Sequence, residues 1–263
     1  MLRIALIGAG RMGQAIATEI AASADLELAG ICVREGGESA AIARLQAIDG
    51  LPEVPVVSDP RDILRIADVA IDFSLPDACA AVAAGAAQDK TPLVCGVTGL
   101  DPISLTALRT ASAAIPLLYE RNMSFGIALM QRLVQQAAAV LGSDFSVSIA
   151  EVHHLHKRDA PSGTALKLGE ALAAGRGQEF QTVYHYDPDG SLGAPSAGDI
   201  AYSVSRQGEN PGEHSVRFAS DNEILQLSHQ VTNRRVFAQG ALRAAAWLVG
   251  QRAGFYGLRD IVA

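Results

Sequence analysis

Short apolar runs alternate with Ala-rich amphipathic stretches along the first 124 residues. Arg3 to Gly8, Leu26 to Val33, Val54 to Val57, Val69 to Phe73, Leu93 to Gly96 and Pro116 to Tyr119 have the length and character of strands. Helical spacing of apolar positions falls between them, near 11–23, 76–88 and 101–113. Asp101-Pro102 opens the last of these helices with a capping side chain and a proline at the first helical position. Repeated βα units of this kind predict an α/β domain built on a doubly wound, Rossmann-type parallel sheet.

The texture changes after a helix predicted over 125–141. Ser146 to Val152 reads as a strand, 163–174 as a helix, and 199–229 as strands running Ile200 to Ser205, Ser215 to Phe218 and Ile224 to Ser228. Gly208-Glu209-Asn210-Pro211-Gly212 and Ser220-Asp221-Asn222-Glu223 are turn-rich breaks, so these later strands are expected to pair antiparallel. The second part is thus expected to be an α+β module with a mixed or antiparallel sheet. A last Ala-rich helix from about 234 to 251, carrying Trp247, could return to pack on the first sheet.

Composition narrows the partners. The 263 residues are 49% hydrophobic, enough for a sizeable core. A net charge of −7 without a long Lys/Arg run argues against nucleic acid or an anionic membrane, both of which need a concentrated basic surface. No apolar stretch reaches the roughly 18 residues of a membrane span, and the chain opens directly on a strand-like run, so no targeting segment or anchor is expected. Cys32, Cys79 and Cys95 stand singly in apolar segments, which suits a reduced, cytoplasmic chain.

Gly8-Ala9-Gly10-Arg11-Met12-Gly13 follows a strand and opens a helix. That context turns a weak glycine pattern into a dinucleotide site. Glycines allow close backbone approach to a pyrophosphate, and the helix start offers N–H groups and the positive end of the dipole. NAD(P) is the expected cofactor. The end of the second strand, where NAD-binding domains carry an acidic residue, reads Cys32-Val33-Arg34-Glu35. Val33 cannot accept a bond from a ribose hydroxyl, whereas Arg34 can pair with a 2′-phosphate, so NADPH is expected to be preferred. Glu35 leaves NADH possible.

Half of the six histidines fall within four positions of Glu151-Val152-His153-His154-Leu155-His156-Lys157-Arg158-Asp159-Ala160-Pro161-Ser162-Gly163-Thr164-Ala165. Alternation on a strand would place His154 and His156 on one side and His153 on the other. Zinc is one reading, but adjacent histidines ligate one ion with difficulty, and no nearby Cys or spaced carboxylates complete a tetrahedron; no metal is expected. An acid–base reading fits better, because histidine titrates near neutrality and the lysine adds a cationic donor. Pro161-Ser162-Gly163-Thr164 then resembles a helix start suited to a carboxylate. Together these describe a pocket for an anion that must be protonated, against the plainer alternative of a solvated basic loop before an ordinary helix.

This segment closely resembles the E-x-H-H-x-x-K-x-D-x-P-S-G-T-A signature of the 4-hydroxy-tetrahydrodipicolinate reductases. Gly-Arg-Met-Gly at 10–13, Asp72-Phe73-Ser74, Gly96-Val97-Thr98-Gly99, Asn122-Met123-Ser124-Phe125-Gly126, Pro211-Gly212-Glu213-His214 and Ser228-His229 resemble that family's landmarks in its order. The resemblance implies that His153 is the acid/base group and Lys157 the proton donor, that His154 contacts substrate, and that Gly163 and Thr164 bind a substrate carboxylate. It implies a cofactor lying along Gly8 to Gly13, with Arg34 at the adenosine ribose, Gly96, Val97 and Thr98 on the nicotinamide side, and Arg121, Asn122, Met123 and Ser124 at the hinge. The implied reaction reduces a cyclic dicarboxylate with loss of water, in lysine and diaminopimelate synthesis. The implied architecture is a dinucleotide-binding domain of 1–124 plus 235–263, a substrate-binding and oligomerisation domain of 125–234, hinges near 122–126 and 230–235, and a homotetramer.

Two departures stand out: a glycine loop one residue shorter than the family's usual form, and Val33 where members using both cofactors often carry an acid. Two rival functions remain in view. Another two-domain amino-acid dehydrogenase would share the first 100 residues but not the histidine signature. A non-catalytic NADP sensor would have little use for His153 and Lys157.

Overall fold

The computed structural model describes residues 1–189 and 191–262. The first stretch alternates β1 (Leu2–Ile7), α1 (Arg11–Ala21), β2 (Leu26–Cys32), α2 (Glu38–Gln46), β3 (Val56–Val57), α3 (Arg61–Leu64), β4 (Val69–Asp72), α4 (Pro76–Asp89), β5 (Leu93–Cys95), α5 (Pro102–Ser112) and β6 (Pro116–Tyr119). Then come α6 (Phe125–Leu141), β7 (Ser146–His153), α7 (Gly163–Arg176), α8 (Phe180–Val183), β8 (Tyr184–His185), β9 (Ile200–Arg206), β10 (Glu213–Ala219) and β11 (Ile224–Gln230). The chain closes with α9 (Arg235–Leu248), β12 (Gly254–Tyr256) and α10 (Leu258–Ile261). Two compact units result: Met1–Met123 with the segment from Arg235 onward, and Ser124–Arg234.

In the first unit all strand pairs are parallel, in the order β12-β6-β5-β4-β1-β2-β3. Helices on both faces explain the near-continuous apolar runs: all four residues of β4 and all three of β5 are buried. Gly13, Ile16, Ala17 and Ile20 are the buried stripe of α1, at helical spacing. Each fully buried Ile or Leu contributes roughly 1.5–3 kcal/mol of transfer free energy. The Asp101 side chain caps α5 by accepting from the Ser104 N–H at 2.7 Å, ahead of Pro102. The returning helix α9 packs on α1 and on β4, β5 and β6, and Arg235 pairs with Glu19 of α1. The strand order reverses between β1 and β4, so the crevice beyond their carboxyl ends lies at a topological switch point. The apolar pattern left α2, α3 and β12 unannounced: α2 buries only Ala41 and Leu45, and β12 is three residues long.

The second unit has a five-stranded sheet ordered β11-β10-β7-β9-β8. Strand β10 runs antiparallel to both β7 and β11, as turn chemistry predicts, but β9 is parallel to β7 and to β8. The expectation of antiparallel pairing fails at β9 because the chain crosses over through α7 and α8 before returning. Helices α6 and α7 pack on one face around Ile127, Val134, Leu168, Ile149, Val216 and Phe218. The first-turn N–H groups of these helices are capped by Ser124, accepting from Ile127, and by Ser162, accepting from Ala165. Such a cap is worth about 1 kcal/mol.

The first unit also buries an ionisable group at the end of a central strand. Asp72 ends β4 fully buried, with Oδ1 accepting from the Ser74 N–H at 2.8 Å and Oδ2 without a hydrogen-bond partner among the described residues. Burial pushes its carboxyl up to about 6, against the opposing bonds from Ser74. A carboxyl raised on folding favours the native state at low pH, and that contribution is lost as pH rises from the unfolded value near 3.8 through 6. Asp72→Asn is therefore expected to be the more stable protein at pH 8, by up to about 3 kcal/mol, with the difference vanishing below pH 4. Urea melts at the two pH values check this; an equal difference at both would contradict it.

Candidate active site

In the first unit the loop after β1 is shaped by backbone contact. Gly8 has φ +97°, and a Cβ there would lie 2.8 Å from the Phe73 carbonyl oxygen. A Cβ on Gly13 would lie 2.0 Å from the Gly8 oxygen, so the first turn of α1 folds directly onto the loop. Gly10 is the N-cap and brings no side-chain cap. Ala9 is buried, and its carbonyl accepts from Gln14 Nε2 and from Arg44 Nη1 of α2, both at 3.3 Å. Arg11 is exposed and Met12 half-buried on the first turn of the helix. An uncapped helix start and a cradle with no room for side chains suit a pyrophosphate, so the shortened loop keeps the features a dinucleotide needs.

Phe73 links this loop to the end of β5. Its ring lies over Gly96, where a Cβ would come within 2.4 Å. Val97 is buried beside it and Thr98 is exposed. Arg34 is exposed just beyond β2, within reach of solvent and of Gly37. At the end of β6, Arg121 donates from Nε to the Tyr119 hydroxyl at 3.4 Å and from its N–H to Glu120 Oε1 at 3.2 Å. Asn122 is half-buried and Met123 buried. Ser124 opens the second unit instead: its Oγ caps α6 and lies 3.3 Å from His229 Nε2.

In the second unit the alternation of β7 buries Val147, Ile149, Glu151 and His153 on one face. The face is apolar for two positions and then turns polar at the carboxyl end. Across the sheet Glu151 pairs with His214, and His214 with His229, so three polar residues form a row over β7, β10 and β11. His153 pairs with Arg206 of β9. Both Glu151 oxygens lie 3.1 Å from the Ser162 N–H that they accept. His214 Nε2 is 3.2 Å from Ser162 Oγ and 3.6 Å from Glu151 Oε2. The His153 and His214 rings meet edge-on at 5.0 Å.

Beyond β7 the chain leaves the strand. Lys157 Nζ is 2.8 Å from Asp159 Oδ1, and Arg206 ties the loop down through the Lys157 carbonyl at 3.2 Å and the Asp159 carbonyl at 2.7 Å. Gly163 and Thr164 are the first residues of α7, half-buried. The structure thus brings His153 and the start of α7 to Glu151, with Lys157 near enough to His153 to oppose its protonation. His154 stands apart, half-buried, with its ring 6.1 Å from that of exposed His156.

Burial pushes the His153 imidazole down to about 4. Glu151 opposes this, while His214, Lys157 and Arg206 add to it. The ring is neutral at physiological pH, so its approach to Glu151 is not an ion pair in the free protein. Burial raises the Glu151 carboxyl, but its bonds with His214 and Ser162 and the neighbouring imidazoles outweigh that and hold it below the usual range. His154 and His229 are also lowered, chiefly by burial.

Two buried groups have ligand-type spacing for a metal: Asp72 with Cys79 and Cys95, and Glu151 with His153 and His214. In the first, the Sγ atoms are 3.8 Å apart, and the thiol contact followed by burial raises Cys95, which keeps it protonated and a poor ligand. In the second, Glu151 is already engaged by Ser162, and Arg206 Nη1 stands 3.6 Å away. That balance favours an anion over a cation. Glu151, Ser162, Arg206 and His214 were given no roles by the sequence, although all but Arg206 lie in quoted landmarks. The period-2 burial of β7 was the signal for Glu151; His214 and Arg206 need the cross-strand register.

The fold recurs among solved structures of dehydrogenases. A probable dehydrogenase from Thermotoga maritima matches it with a TM-score of 0.60 at 13% identity, over 98% of this chain and 92% of that one. Sequence narrows the class. The model for the dihydrodipicolinate reductase N-terminus matches residues 2–123 and that for the C-terminus residues 126–262. The 4-hydroxy-tetrahydrodipicolinate reductases of Sulfurimonas denitrificans and Wolinella succinogenes are each 40% identical, over 99% of this chain and 98% of theirs. A dipicolinate-bound dihydrodipicolinate reductase from Paenisporosarcina sp. TG-14 matches with a TM-score of 0.77 at 25% identity, over 99% of both chains. The chain belongs to the dihydrodipicolinate reductase family.

The Gly13 contact generates a test. Gly13→Ala is expected to push the loop open and weaken binding of the reduced nicotinamide cofactor at least about tenfold, or 1.4 kcal/mol. Fluorescence titration reads the affinity and circular dichroism the fold. Unaltered affinity in a folded variant would remove the loop from the cofactor site.

Proposed function

We propose that the protein reduces 4-hydroxy-tetrahydrodipicolinate to tetrahydrodipicolinate, with loss of water, in lysine and diaminopimelate synthesis. The observation that carries this reading is the meeting of His153 and the start of α7 at one buried carboxylate, with Lys157 near His153, in a chain of the reductase family. A reduced nicotinamide, held along Gly8 to Gly13, supplies the hydride. Gly96 to Thr98 and Arg121 to Ser124 would complete the set of residues that hold it.

The substrate is a small dicarboxylate, in keeping with the dipicolinate named in the Paenisporosarcina structure. One carboxylate is received at the start of α7, at Gly163 and Thr164, where the positive end of the helix dipole favours an anion. Lys157 donates the proton that the ring requires. His153 is the acid–base group: buried and neutral when free, it gains proton affinity when a dianion lies against it. His154 makes a further contact to the substrate. Fixing the ring by its carboxylates supplies the orientation on which hydride transfer depends.

Arg34 reads a 2′-phosphate, with Val33 excluding the ribose-hydroxyl contact, so NADPH is the preferred cofactor. Arg44, held at the Ala9 carbonyl, brings a second guanidinium to the same loop. Four copies associate through the sheet face opposite α6 and α7, which carries small residues such as Ser148, Ala150, Ser203 and Ser215. Three free, buried cysteines fit a reducing cytoplasm, and no helix among the described residues is long and apolar enough to cross a membrane.

Feeding the purified protein the condensation product of pyruvate and aspartate semialdehyde should oxidise NADPH faster than NADH, followed by near-ultraviolet absorbance. Binding of both cofactors with oxidation of neither would refute the substrate assignment. Lys157→Ala and His153→Ala are expected to lower kcat by roughly 10²–10⁴-fold at unchanged cofactor affinity; a parallel loss of cofactor binding would overturn their roles. Light scattering should return four times the chain mass, and a monomer would refute the tetramer.

A further inference from the structure

Glu151 touches both halves of the substrate apparatus. Its Oε2 is 3.7 Å from His153 Nδ1, and both its oxygens face the Ser162 N–H at 3.1 Å. Ser162 in turn caps α7 through Ala165. The carboxylate is 2% exposed, at the end of an apolar strand face where a charge is retained only if something compensates it. His214 braces the arrangement from β10, bonded to Ser162 Oγ and facing the same Oε2. His229 stands behind His214 in the next strand.

We infer that Glu151 is a positioning residue for the reduction: its carboxylate selects the His153 tautomer with the proton on Nδ1, stabilises the imidazolium that forms with substrate present, and anchors the helix start that receives a substrate carboxylate. This rests on His153 being the acid–base group. His153 Nδ1 is buried and has no hydrogen-bond partner among the described residues. Glu151 Oε2 lies just outside bonding distance, so a small ring rotation closes the contact. A proton on Nδ1 leaves Nε2 as the nitrogen that exchanges protons.

Charge accounting points the same way. The groups facing His153 are Glu151 on its own strand, His214 on β10, Arg206 on β9, and Lys157 with Asp159 on the following loop. Lys157, Arg206 and His214 all resist an imidazolium, and Asp159 is occupied by Lys157. Glu151 is the acidic group that favours it, in the manner of the carboxylate that orients a catalytic imidazole in hydrolytic triads.

The test compares kcat and KM against pH for the unaltered protein, Glu151→Gln, Glu151→Asp and His153→Gln, with NADPH and the same condensation product. Removing the carboxylate lowers the proton affinity of His153, so the alkaline limb of kcat should move to lower pH by about one unit in Glu151→Gln. It should return part of the way in Glu151→Asp. At pH 8 kcat should fall about tenfold, and KM for the dicarboxylate should rise several-fold as α7 loosens, with cofactor affinity held. A limb at the wild-type position in folded Glu151→Gln overturns the inference. If that variant does not fold, Glu151→Asp decides, because withdrawing the carboxylate by one methylene must still shift the limb; an unmoved limb there overturns it. His153→Gln separates the two levels. Full activity in that variant refutes the acid–base reading itself, whereas its loss beside an unshifted Glu151 variant refutes only the role of Glu151.

Discussion

A charge buried at the end of an apolar strand organises the second unit. Glu151 follows Val147 and Ile149 on the helix-facing side of β7, and leaving it unpaired there would cost several kcal/mol. The requirement to pair it selects what surrounds it. His214 must sit opposite on β10, Ser162 must present its N–H, and Arg206 must close from β9. A slip of β10 by one residue would turn His214 to the other face and leave the carboxylate without its brace. The register of the sheet, the first turn of α7 and the environment of His153 therefore share one electrostatic condition.

The first unit obeys a steric condition instead. Seven parallel strands bring the β1, β4 and β5 ends to one edge, and the loops there are packed backbone against backbone and ring: Gly8 on Phe73, Gly13 on Gly8, Gly96 beneath the Phe73 ring. Side chains at those positions would collide with the Phe73 backbone and ring and with the Gly8 carbonyl. The same edge places Asp72, buried and half-bonded, directly ahead of Phe73, so the strand end carries a cost that a purely structural core would avoid.

The sequence was most legible where a local rule decides the outcome. The βα alternation, the Asp101-Pro102 start and the glycine loop each carry their own geometry, and they appear in place. The histidine-rich segment carries the family likeness, which extends over both units. What escaped was set by distant pairing. Strand β9 lies parallel to β7 because of a crossover whose path the turn signals after residue 199 do not encode. Glu151 reads as one more residue of an ordinary strand, Ser146 to Val152, and only the cross-strand register brings His214 and Arg206 to it. Short elements such as β12, three residues long, bury too little to leave a pattern.

A crystal structure of the protein with NADPH and pyridine-2,6-dicarboxylate tests the central claim most directly. The account predicts one carboxylate on the N–H groups of Gly163 and Thr164, Lys157 turned from Asp159 toward the ligand, and His153 bonded through Nδ1 to Glu151. A dicarboxylate bound away from the start of α7, with Lys157 still on Asp159, would contradict it.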